Sequence, residues 1–314
     1  MTKPVVALTH PMLKSLEGPL SHAYEVLRVW EVADPLDWAK GPGQRAQALI
    51  GAGEHGFAPE FYENLPNLGL VACVSVGYDA YDPVFLRGRG VELTHADSLN
   101  ADDVADQAVG AALASWRLIL EGDRMVREGA WTPSYRGPLR PALRGKTAGI
   151  VGLGAIGLAI AKRLPAFGLE IAWWGPRAKP DQPLRYVADL VELAKQSDIL
   201  FVACRADASN VGLISQEVIT ALGPQGLLVN VARGSVVDET ALIAALKSGA
   251  LGRAALDVYE VEPTPAARWA DVPNTLLTPH TAGQSIEGIP AMISQTFENL
   301  RRHFAGETLL SPVP

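Results

Sequence analysis

The apolar run Thr147-Ala-Gly-Ile-Val151 leads without a break into Gly152-Leu-Gly154-Ala-Ile-Gly157, and a helical pattern follows at once. Few folds accept that order. The first glycine permits a tight turn, the second lets backbone N–H groups be approached closely, and the third lets the new helix lie against the strand it leaves. The rest of the chain alternates in the same sense. Strands are expected at residues 5–8, 48–50, 68–74 and 91–94, with helices at 21–29 and 83–89 between them. After a long helix come further strands at 147–151, 169–174, 198–203, 226–231, 253–256 and 275–277, separated by helices at 156–167, 187–196, 215–222 and 239–248. Strands that take turns with helices predict parallel sheets covered on both faces.

The long helix starts after Asn100, a residue type that caps helices, with Asp102 and Asp103 in the first turn. It is expected to run through Leu118–Leu120 to Gly122. From Trp131 to Arg144 the prolines at 133, 138 and 141 predict an extended connector. A last helix, about residues 285–305, has no further strand to pair with and is expected to cross back to the N-terminal half. The domains therefore read as 1–96 for a first parallel unit, 97–283 for a doubly wound one, and 284–314 returning to the first.

Composition narrows the function classes. The chain has 314 residues, 48% of them apolar and 19% charged, which suits two globular domains. Its net charge of −7 and the lack of a long basic cluster argue against nucleic acid. The N-terminus does not read as a signal peptide, and the longest uncharged apolar stretch is too short and too glycine-rich for a membrane span. Two cysteines, Cys73 and Cys204, sit in apolar runs and read as buried thiols in a reducing compartment, the cytoplasm. No metal-ligand spacing occurs.

The glycine turn, opening a helix at Ala155 and Ile156, reads as a pyrophosphate cradle of a dinucleotide site. Such sites place an acid on the ribose about 20 residues on. Here the segment is Ile171-Ala-Trp-Trp-Gly-Pro-Arg-Ala-Lys, with no acid. Arg177 and Lys179 in this loop, and Arg205 after the next strand, suit a 2′-phosphate instead, so NADP(H) is expected ahead of NAD(H). Three further groups follow successive strands at the carboxyl edge: Arg233 in Asn-Val-Ala-Arg-Gly-Ser, Glu262 in Glu-Val-Glu-Pro just beyond Asp257, and His280 in Leu-Thr-Pro-His-Thr-Ala-Gly. Arginine can grip an anionic substrate, histidine can move a proton, and a carboxylate can orient and charge the histidine.

With these residues in view the chain resembles the D-isomer-specific 2-hydroxyacid dehydrogenase family over nearly its full length. The matching segments are Val74-Ser-Val-Gly-Tyr-Asp-Ala-Tyr-Asp82, Asp103-Val-Ala-Asp106, Gly149–Gly157, Asn230–Asp238, Ala255–Pro263 and Thr278–Gly283. The resemblance implies a Rossmann cofactor domain inserted into a smaller flavodoxin-like substrate domain, in a homodimer. It implies that Arg233 binds the carboxylate and carbonyl of a keto acid, that His280 is the acid/base and that Glu262 pairs with it. It further implies that the Val76–Gly77 backbone binds the substrate carboxylate and that Asp257 binds the nicotinamide amide. The missing acid resembles the glyoxylate/hydroxypyruvate reductase branch. So does Trp131, which in that branch can reach the neighbouring subunit's site. The expected reaction is reduction of a small 2-keto acid to the D-2-hydroxy acid. Two alternatives stay open: another member such as a phosphoglycerate dehydrogenase, and a corepressor-like protein that senses nucleotide. The remaining histidines, 10, 22, 55, 95 and 303, match no motif and read as structural or surface groups.

Overall fold

The computed structural model describes residues 3–314. Met1 and Thr2, the start of the expected first domain, lie outside the described residues. The chain divides into two compact units. One holds the residues up to Asn100 together with Ser285–Pro314, and the other holds Ala101–Gln284.

The first unit carries five parallel strands: β1 Val5–Leu8, β2 Glu25–Arg28, β3 Ala48–Gly51, β4 Leu70–Cys73 and β5 Glu92–Thr94. Their order is β2-β1-β3-β4-β5, the flavodoxin-like arrangement, so the chain winds outward in both directions from the β1/β3 junction. Successive strand residues point to opposite faces, and each face has its own core. Val6 and Leu8 of β1 join Leu300 and Leu309 on one side, while Ala7 joins Trp38, Leu49 and Phe61 on the other. The first group includes Leu300 of the helix Gly288–Ala305, which packs against β4 in this unit.

The expected helix at 21–29 is wrong. A short helix, Glu17–Ser21, precedes β2, and Glu25–Arg28 pairs in parallel with Val5–Leu8. The segment Glu-Val-Leu-Arg has only four residues on an edge, all half-buried, too short for its period to separate strand from helix.

The second unit carries seven parallel strands: β6 Thr147–Val151, β7 Glu170–Trp174, β8 Arg185–Tyr186, β9 Ile199–Val202, β10 Leu227–Asn230, β11 Arg253–Leu256 and β12 Thr275–Leu277. Their order is β12-β11-β10-β9-β6-β7-β8. The winding direction reverses between β6 and β9, and ligands bind outside the carboxyl ends at such a point. The two-residue edge strand β8 was too short to be expected. The two faces again bury separate sets, with Val151 and Leu200 on one and Ile150 and Phe201 on the other.

The helix Ala101–Trp116 covers the second face with Val104, Ala105, Ala108 and Ala112, and its small residues let the helix Ala155–Arg163 come close. Two expectations for it fail. Asn100 does not cap it, because its Oδ1 is buried without a hydrogen-bond partner. Nor does it run on to Gly122. Leu118 adopts a left-handed conformation, φ 53°, which ends the helix, and Ile119–Arg127 forms a separate one.

Candidate active site

The loops at the carboxyl ends of β6, β7, β9, β10, β11 and β12 bring the sequence candidates of the second unit to one edge of its sheet. At β6 the glycine turn does what its three glycines require. Gly152 has φ 92° and donates its N–H to Trp174 O at 2.8 Å. A Cβ there would stand 2.5 Å from Cys204 Cα. A Cβ on Gly157 would meet Gly152 O at 2.0 Å, so helix and strand touch by backbone. Around Gly154, in contrast, a Cβ would meet nothing within 4 Å. The helix Ala155–Arg163 starts there with no side-chain cap. Its first N–H groups, those of Ala155, Ile156 and Gly157, precede the first partner a helix can offer. An open concavity lined by such amides fits an anionic pyrophosphate.

The loops on either side of this turn carry the cations. Gly175, buried, stands after β7 where an acid was missing, and Arg177 after it is exposed. Lys179 donates from Nζ to Leu153 O at 2.6 Å, which fixes an ammonium on the glycine turn itself. Arg205 follows β9 and is exposed. Since β7 and β9 both pair with β6, Arg177 and Arg205 flank the turn on opposite sides.

Arg233 is presented by a turn that the sequence specifies closely. Buried Asn230 accepts from Ala232 N at 3.0 Å through Oδ1 and donates to Arg233 O at 3.0 Å through Nδ2. Gly234 follows because a Cβ would lie 1.8 Å from the Tyr259 carbonyl carbon. The β10 loop therefore rests directly on the β11 loop. Arg233 itself is half-buried and donates to Ala232 O at 2.8 Å.

Glu262 and His280 meet. The His280 Nδ1 lies 2.6 Å from Glu262 Oε2, and Tyr259 N donates to Glu262 Oε1 at 2.9 Å. Burial would push the Glu262 carboxyl up. The hydrogen bonds from His280 and Tyr259 N, with the charges of His280 and Arg233, outweigh it and hold the group below its ordinary value. An ionised carboxylate only accepts, so the shared proton belongs to His280 Nδ1.

His280 adopts φ 52°, a left-handed conformation rare for a side chain of its size and costing of order 1–3 kcal/mol. Its N–H donates to Asp257 O at 2.8 Å. The Asp257 carboxylate, buried, accepts from Thr278 Oγ1 at 2.5 Å, Thr281 N at 3.0 Å and Ala282 N at 2.9 Å. Tyr259 adds an O–H bond to Thr278 O at 2.9 Å. Asp257, Thr278 and Tyr259 thus brace the loop on both sides of the histidine. Of these, Thr278, Tyr259 and Asn230 were not singled out in the sequence. Their signal lies only in which loop faces which.

In the first unit, Val76 and Gly77 follow β4. Neither N–H has a partner among the described residues. Ser75 Oγ donates to Gly77 O at 2.9 Å, and a Cβ on Gly53 would reach that oxygen at 1.7 Å.

A model of the D-isomer specific 2-hydroxyacid dehydrogenase NAD-binding domain matches residues 109–282. The chain belongs to this family. It is 38% identical over 98% of both chains to a hydroxyphenylpyruvate reductase of Plectranthus scutellarioides. It is 37% identical, again over 98% of both, to glyoxylate/hydroxypyruvate reductase A of Arabidopsis thaliana. Its fold is similar to that of an NADPH-dependent glyoxylate/hydroxypyruvate reductase from Sinorhizobium meliloti solved with NADP and malonate: TM-score 0.91, 34% identity, covering 99% of this chain and 97% of that one. The protein is an oxidoreductase of the D-2-hydroxyacid dehydrogenase family, in the branch that holds the glyoxylate/hydroxypyruvate reductases. No helix among the described residues is long and apolar enough to cross a membrane.

Proposed function

We propose that this dehydrogenase reduces a small 2-keto acid of the glyoxylate/hydroxypyruvate type to the D-2-hydroxy acid, with NADPH preferred to NADH. The observation that carries the reading is the 2.6 Å contact of His280 Nδ1 with an ionised Glu262, beside Arg233. Gly152, Gly154, Ala155, Ile156 and Gly157 would hold the dinucleotide, which when bound would supply the hydride for the keto carbon. Asp257, with three of roughly four acceptor positions engaged in the chain, keeps one for the nicotinamide amide. Arg233 holds the substrate carboxylate and polarises its carbonyl. In the first unit, the amides of Val76 and Gly77 are assigned to binding a substrate carboxylate. His280, its Nδ1–H committed to Glu262, delivers a proton from Nε2 to the alkoxide as it forms. Glu262 favours the imidazolium that has this proton to give.

The NADPH preference rests on Gly175 in place of an acid and on Arg177 and Arg205 flanking the turn. Each charge-assisted bond to a phosphate contributes ~1.5–3 kcal/mol, so two give a preference of about a hundredfold or more. The homodimer is supported by the helix Ile119–Arg127, which buries none of its residues and leaves Ile119, Leu120 and Val126 exposed, with Trp131 beyond it. Two unpaired cysteines, both pushed up to about 11 by burial, fit a reducing compartment such as the cytoplasm.

The test is a panel of initial rates with glyoxylate, hydroxypyruvate, pyruvate and phenylpyruvate, each with NADPH and NADH. The short keto acids should give the highest kcat/KM, with NADPH ahead, and Arg177→Ala and Arg205→Ala should each erode that lead. Equal or higher kcat/KM with NADH overturns the cofactor reading. Phenylpyruvate as the best substrate overturns the substrate reading.

A further inference from the structure

His95 follows β5 in the first unit, beside the Val76–Gly77 loop that follows β4. Its Nδ1 stands 3.0 Å from Val76 O. A carbonyl oxygen only accepts, so Nδ1 carries the proton and the tautomer is fixed. Val76 C=O and Gly77 N–H belong to one planar trans peptide and point opposite ways. A hydrogen bond that fixes the carbonyl therefore aims the amide. That amide has no partner among the described residues.

The His95 backbone is itself held from behind. His95 N donates to Ser311 O at 3.3 Å, and Ser311 Oγ donates to His95 O at 2.6 Å. Buried Asn299, on the helix Gly288–Ala305, donates to Ser311 Oγ at 3.0 Å and accepts from Leu310 N at 2.8 Å. On the loop's other flank, Ala96 N donates to Ser75 O at 2.9 Å, while Ser75 Oγ and Cys73 Sγ donate to Gly77 O. Tyr78 packs edge-on against the His95 ring at 5.2 Å. The peptide before Gly77 and the carbonyl after it are thus both tied down, and the N–H between them is left to a ligand.

We propose that His95 is a positioning residue for substrate binding: through Val76 O it holds the Gly77 amide toward the carboxylate of the 2-keto acid. This rests on the reading that the Val76–Gly77 backbone binds that carboxylate. His95 touches neither substrate nor reacting atoms. Its effect is on anion binding, not on the proton transfer that His280 performs.

The substitutions that separate this from a packing role are His95→Asn, His95→Gln and His95→Leu. The Asn amide nitrogen falls where the imidazole Nδ1 lies and can still donate to Val76 O. The Gln amide falls near Nε2 and cannot, and Leu has no donor. His95→Leu and His95→Gln should raise the KM for glyoxylate and the inhibition constant of oxamate about tenfold, the upper end of what one hydrogen bond contributes. kcat should stay within about twofold, and KM for NADPH should not change. His95→Asn should return both constants to within about twofold of the parent. His95→Gln covers the case in which Leu fails to fold. Unchanged glyoxylate KM and oxamate inhibition in Gln or Leu overturn the proposal. So does an equal loss in Asn and Gln, or a fall of kcat and NADPH affinity along with the anion. Arg233→Lys run alongside separates the two readings: if it too leaves the keto-acid constants unmoved, the functional reading fails, and if it alone moves them, only the role of His95 fails.

Discussion

Glu262 accepts from Tyr259 N and from His280 Nδ1 and faces the charge of Arg233, so its carboxyl is held below its ordinary value in a site where burial alone would push it up. Two consequences follow for Glu262→Gln. The alkaline limb of the reduction rate, where His280 loses the proton it must give, should shift to lower pH, since the neutral amide no longer favours the imidazolium; an unmoved profile contradicts the pairing. Stability should also change in a pH-dependent way. A carboxyl depressed in the folded state adds stability above its unfolded pKa and loses it as pH falls through the folded value. The Tm advantage of the parent over Glu262→Gln should thus be present at neutral pH and shrink below the ordinary carboxylate range. Arg233→Lys keeps the charge and loses the planar fork. It should raise the keto-acid KM and lower kcat/KM by at least about tenfold, the cost of one strong bond to a charged group. Unaltered keto-acid kinetics would mean that Arg233 binds no substrate. At this scale the residues that act on substrate were legible, because arginine, glutamate and histidine at carboxyl ends carry few other meanings. Asn230, Thr278 and His95 were not. An asparagine, threonine or histidine takes its role from the loop opposite, and His95 read only as a structural or surface group until β5 was placed beside β4.

The glycine turn is the element whose demands were written most fully in the chain, because each glycine answers a different steric need. The structure separates them. Gly157→Ala would put Cβ 2.0 Å from Gly152 O, whereas Gly154→Ala meets no protein atom within 4 Å. Gly157→Ala should therefore lower Tm by several degrees, a cost of 1–3 kcal/mol for forcing a methyl into close packing. Gly154→Ala should leave Tm nearly unchanged and weaken NADPH binding, measured by fluorescence titration. The reverse pattern would show that the open side at Gly154 is not where the pyrophosphate lies. Elements of low signal were the ones misread. β2 is four half-buried residues on an edge, and β8 is two. The break at Leu118 left no mark in composition, since Leu118-Ile-Leu reads as helix on either side of it.

For the whole molecule, alternation implied two parallel sheets with helices on their faces, and the structure supplied the orders β2-β1-β3-β4-β5 and β12-β11-β10-β9-β6-β7-β8, with the misread β2 and the unexpected β8 at their edges. The chain gives the second unit as one insertion, Ala101–Gln284, between two parts of the first. Family membership, the sheet orders and the three charged carboxyl-end residues all lead to one claim, that His280 donates the proton in reduction of a keto acid. Its most direct test is kcat for hydroxypyruvate and NADPH in His280→Gln, with NADPH affinity measured in the same preparation. The account predicts a fall in kcat of roughly 10²–10⁴ with NADPH affinity nearly constant. Turnover close to that of the parent would contradict it.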